Sequence, residues 1–141
     1  MERLFVKYQH FGYPLIRVGI GIMLSFHGLT KLFKGSNEWE HLGQAFSQFL
    51  GIALPALPLG LTAAVIQAIC GIAIAVGWHT RWVAIIALPT MLVAVGILLK
   101  DGEPFSHYSH PIEISIVLIA FMFAGSGELS LDKSQTTGTG S

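Results

Sequence analysis

Four apolar runs set the limits of this fold. They lie at about residues 14–33, 58–78, 82–99 and 111–126. A helix needs about 20 apolar residues to cross a bilayer, and the first three runs come close to that length. The fourth is the shortest, and a thinned bilayer or an extension at one end would accommodate it. Lipid offers no hydrogen bonds to a backbone, so each run has to be a helix. One long loop, one tight turn at His79-Thr80-Arg81 and one medium loop join them. Short connections favour antiparallel neighbours, which predicts an all-α integral membrane four-helix bundle.

Composition agrees with this reading. The chain is 52% hydrophobic and only 11% charged, where soluble domains carry about 25% charged residues. Its 141 residues leave little room for a separate soluble domain. Residues 1–132 read as one four-span domain, and the Ser/Thr/Gly-rich stretch 133–141 as a disordered polar tail. Arg3 and Lys7 precede the first run as in a signal peptide. That run is too long, however, and lacks a cleavage site, so it reads as an uncleaved span. A net charge of zero and the absence of a basic stretch argue against a nucleic-acid partner. Cys70, the single cysteine, excludes an intrachain disulfide or a CxxC pair and reads as a small buried apolar residue.

Charge also orients the spans. Arg3, Lys7, Arg17, Arg81 and Lys133 fall on one side, Lys31, Lys34 and Lys100 on the other. The positive-inside bias places both termini in the cytoplasm, and the protein is expected in the cell (inner) membrane. Within the long loop, Trp39, Leu42, Phe46, Phe49 and Ala53 recur at helical spacing between residues 38 and 53, opposite a polar face. This predicts an additional amphipathic interfacial helix, acting as an anchor or as a lid over the outer mouth.

Ionisable groups within the spans are the candidate site. His27 and Lys31 are one turn apart near the outer end of the first span, so their side chains share a face. Span direction brings Gln67 and Glu113 to the same half of the membrane and keeps Arg17 away from them. His107 and His110 are secondary candidates in the outer loop. Small residues on the first span (Gly21, Ser25, Gly28) and on the second (Gly60, Ala64, Gly71, Ala75) suit close packing of the two, which turns Gln67 inward. His27, Lys31, Gln67 and Glu113 could hydrogen-bond a quinone carbonyl or move its protons. Haem is not expected, because His27 has no evident histidine partner within the membrane. No metal site is expected, since the spacing of His107, His110 and Glu113 is loose. Pro89 interrupts the third run and should kink it.

The chain resembles the DoxX family of small four-helix membrane proteins. The resemblance lies in LIRVGIGIMLSFHGLTKLF, with His27, Gly28, Lys31 and Leu32 at its core. It continues in QAICGIAIAVG from Gln67 followed by Thr80-Arg81, and in GSGELSLD from Gly125. Family members often carry Glu where this chain has Gln67. The family takes its name from the small subunit of an archaeal thiosulfate:quinone oxidoreductase. The resemblance therefore implies a membrane subunit of a quinone-linked oxidoreductase, in sulfur or oxidative-stress chemistry, with a second oxidoreductase subunit or a further copy of the chain as partner. A non-catalytic anchor for a soluble redox enzyme is the alternative, and a small-molecule carrier ranks after it.

Overall fold

The computed structural model describes residues 2–127 and 130–131, with side chains from Phe11 onward. The tail at 133–141, residues Glu128, Leu129 and Asp132 of the GSGELSLD stretch, and the side chains of Arg3, Lys7 and Tyr8 lie outside the described residues.

Among the described residues there are five helices and no strands: α1 (Glu2–Lys34), α2 (Ser36–Leu50), α3 (Ala56–Val76), α4 (Thr80–Lys100) and α5 (Phe105–Ala124). Four stretches are long and apolar enough to cross a membrane: Phe11–Lys34 of α1, and the whole of α3, α4 and α5. With 15 residues, α2 reaches only about 22 Å. The four long helices alternate in direction. Their near end holds the start of α1 and the close of α5. The far end holds the close of α1, all of α2 and the start of α5.

The centre of the fold is α3, and small residues put it there. Gly60, Ala63, Ala64, Gln67, Ala68 and Gly71 are all buried. A Cβ on Gly28 would sit 2.3 Å from the Ala68 backbone nitrogen, and one on Gly71 would sit 2.3 Å from that of Ser25. Helices α1 and α3 therefore touch backbone to backbone. Water does not drive helices together within lipid, so packing of this kind supplies the adhesion. Large side chains fill the space towards α4 and α5, with Leu24, Ile74, Met91, Ile114, Leu118 and Phe121 in one cluster. Other large apolar residues, including Leu15, Phe26, Phe33, Ile69, Ile86 and Phe123, face outward, as lipid contact requires.

Helix α2 is tied to this frame at its start. The Trp39 indole N–H donates to the Lys31 carbonyl at 3.0 Å, and Lys34 meets Glu38 at 3.6 Å. Its apolar face buries Leu42, and Gly43 brings it against Ala56 of α3. It starts and stops earlier than the pattern at 38–53 implies. Gly51, at φ 66°, closes it with bonds from Gly51 N–H to Gln48 and from Ile52 N–H to Ser47, the pairing of a Schellman stop.

The start of α5 differs from expectation. Pro111 does not open the fourth span: α5 starts at Phe105, after Pro104, and runs through Pro111. A proline suits a helix start, but Pro104 takes that part here. Pro89 lies within an unbroken α4 and is exposed. It faces outward beside exposed Ile85.

Candidate polar site in the far half of the bundle

The extra turn and a half of α5 changes the surroundings of His27. It carries His110 into the bundle, where the two Nε2 atoms meet at 3.1 Å. The rings lie 5.1 Å apart between centroids and are tilted by 43°. One imidazole donates and the other accepts, and both are half-buried. His27 thus has the intramembrane histidine partner that a span starting at Pro111 denied it.

One turn on, Lys31 turns towards α3. Its ammonium donates to Gln67 Oε1 at 2.9 Å. Gln67 is only 1% exposed, so the ammonium gives this buried amide oxygen the donor that water cannot. Nearby hydroxyls are committed to the backbone: Thr30 bonds the His27 carbonyl at 2.9 Å, and Ser25 the Gly21 carbonyl at 2.9 Å.

Four of the six candidates therefore come together as two pairs, His27–His110 and Lys31–Gln67. The other two stand apart. Glu113 is on the exposed side of α5. His107 is exposed and bonds Glu103 through Nδ1 at 2.7 Å.

The two Nε2 atoms share a hydrogen bond rather than a ligand. Two metal–nitrogen bonds of about 2 Å each need the nitrogens about 4 Å apart, and here they are in hydrogen-bond contact. Among the described residues no group of three or more His, Cys, Asp or Glu side chains could hold a metal ion. Cys70 is buried and free.

A second polar cluster, at the near end, escaped the sequence reading. The Tyr13 hydroxyl donates to the Gly125 carbonyl and Arg17 Nη1 to that of Ser126, while Arg81 Nη2 reaches the Phe123 carbonyl at 3.3 Å. Arg17 is 3% exposed and so lies inside the protein. It passes beneath Gly77, where a Cβ would come within 2.6 Å of Nη1. Carbonyls at a helix end lack intrahelical donors, and Gly125-Ser126-Gly127 is where α5 stops. That glycine-rich stop, paired with the otherwise unexplained Arg17, was the signal available.

Comparison with known proteins fits this architecture. The DoxX family model matches residues 12–100, more than half of the chain. The chain belongs to the DoxX family. No curated protein and no solved structure matches it. His27, Lys31 and Gln67 fall within the DoxX match, whereas His110 and Glu113 lie on α5 beyond it. A DoxX membrane protein with four spanning helices is thus established, and lipid contact follows from its outward apolar faces.

Proposed function

We propose that this DoxX protein is the membrane subunit of a quinone-linked oxidoreductase, and that it binds the quinone head group beside His27 and His110. The observation that carries the reading is the half-buried imidazole pair at the α1–α5 seam, one turn from Lys31 and Gln67. A quinone diffuses in the hydrocarbon and approaches from the side. A site reached from the lipid, with donors set into an apolar wall, suits it better than a water-filled mouth. An imidazole N–H can donate to a quinone carbonyl, and its partner nitrogen can hold the proton that moves. Lys31 adds a charged donor, fixed in direction by Gln67. Reduction of a quinone takes up two electrons and two protons. The residues named here bind, orient and transfer protons, and electrons come from a second subunit that oxidises a reduced sulfur compound or a thiol.

In this reading α2 lies along the outer membrane surface, the termini are cytoplasmic and the membrane is the inner one. Support comes from the sequence, which has Arg3, Lys7, Arg17, Arg81 and Lys133 on the side of the termini against Lys31, Lys34 and Lys100 on the other, and from the polar face of α2. Glu113, on the exposed side of α5, is not part of the binding contact.

The test is titration of the purified protein with a short-chain quinone analogue, followed by fluorescence. Wild type should bind, and His27→Ala and His110→Ala should each weaken binding by about tenfold, the equivalent of one good hydrogen bond. Equal affinity in all three would remove the site. A second reading, a non-catalytic anchor for a soluble redox enzyme, is favoured by the pairing of these side chains with one another. It predicts co-purification with that enzyme and unchanged turnover of the complex in the same variants.

A further inference from the structure

A concavity at the far end is separate from the two polar pairs. It is a cleft of about 330 Å³ between α2 and the last two turns of α4. Its floor is apolar, built from Phe49, Val93, Gly96 and Ile97. Gly96 keeps it open: a Cβ there would meet the Phe49 ring at 3.8 Å, so any larger side chain would occupy the space. Its rim is polar, with His41, Gln44 and Gln48 from α2 facing Lys100 and Asp101 at the end of α4.

The two surfaces are arranged along the membrane axis. From Val93 to Lys100 is seven residues, or about 10 Å of helix. Along that distance the lining passes from hydrocarbon to charge. An amphiphile standing upright in one leaflet has the same gradient.

Charge narrows the choice. Lys100 and Asp101 are adjacent and sum to zero, so the rim favours a head group that carries both signs over a simple anion. The Lys100 ammonium already donates to Gln48 Oε1 across the mouth, which fixes its direction and leaves two N–H donors for a phosphate. Asp101 only accepts. A primary ammonium can donate N–H bonds to it, whereas a quaternary ammonium has none to give.

We propose that the α2–α4 cleft binds one phospholipid with a phosphoethanolamine head group, its phosphate on Lys100, its ammonium on Asp101 and one acyl chain along Gly96. The proposal rests on α2 lying at the membrane surface, and is independent of quinone binding.

Native mass spectrometry of the detergent-purified full chain, with added dioleoyl phosphatidylethanolamine, phosphatidylcholine or phosphatidylglycerol, tests it. Wild type should retain one phosphatidylethanolamine about tenfold more strongly than either other lipid, the value of one charge-assisted hydrogen bond. Asp101→Asn, at an exposed position, should erase the preference over phosphatidylcholine, and Gly96→Leu should abolish retention. Soluble phosphoethanolamine should not compete, since it lacks the chain that the floor receives. Equal retention of the three lipids by wild type would overturn the proposal. So would an undiminished preference in Asp101→Asn, or displacement by soluble phosphoethanolamine.

Discussion

Lys31 is held by an amide where family members often carry a carboxylate. The bond is 2.9 Å long and its acceptor is buried, so losing either partner strands the other. Gln67→Leu should destabilise the protein by about 1–3 kcal/mol, the cost of a buried donor left unmade. Gln67→Glu should be at least as stable as wild type, because it gives the charged donor a charged acceptor. Thermal unfolding in detergent, followed by circular dichroism, checks both, and an unchanged midpoint in Gln67→Leu would show that Lys31 does not depend on the amide. The meeting of Lys31 with Gln67 could be expected from the sequence, because helical spacing and span direction fix which residues share a depth. The His27–His110 contact could not. It depends on α5 starting at Phe105, and Pro111 advertises a later start.

At the scale of elements, the α1–α3 contact rests on glycines that are not equivalent. Gly28 and Gly71 have no room for a methyl group, whereas Gly12 and Gly19 have nothing within 4 Å of a built Cβ. Gly28→Ala should force the helices apart and destabilise by about 1–3 kcal/mol, as overpacking does. Gly19→Ala should be neutral or stabilising by up to about 1 kcal/mol, because alanine is the better helix former. Unfolding midpoints of the two variants, measured side by side, separate the cases, and equal losses would contradict the close approach. The small-residue faces of α1 and α3 were visible in the sequence as stripes. The amphipathic loop helix was visible too, though its bounds were not: its end is set by the left-handed turn at Gly51, a backbone choice that an apolar pattern does not record.

At the scale of the whole molecule, the five helices form two groups. Helices α1, α2 and α3 pack tightly together, and α4 and α5 form a hairpin beside them. Apolar side chains seal the seam in its middle, through Leu24, Ile74, Leu118 and Phe121. Polar bonds close both of its ends: His27–His110 at the far end, and Tyr13 and Arg17 on the Gly125 and Ser126 carbonyls at the near end. Arg17→Met should free the segment after Ala124. Limited proteolysis should then cut there faster than in wild type, while the helical circular dichroism stays close to unchanged. An unaltered cleavage pattern would show that the arginine does not hold the segment. The near-end closure was hard to read in the sequence because its acceptors are backbone carbonyls, which every residue possesses. Only the geometry of the stop at Gly125 makes them available.

The near-end bonds also have a timetable. Tyr13 and Arg17 meet partners 112 and 109 residues later in the chain. During synthesis the first helix enters the membrane long before its acceptors exist. A buried arginine waits, solvated by whatever water or lipid head group it can find, until the last helix has been released. Its capture then reports that the final span has arrived in the right place. A chain that stalls after α4 has no Ser126 carbonyl to offer its first helix.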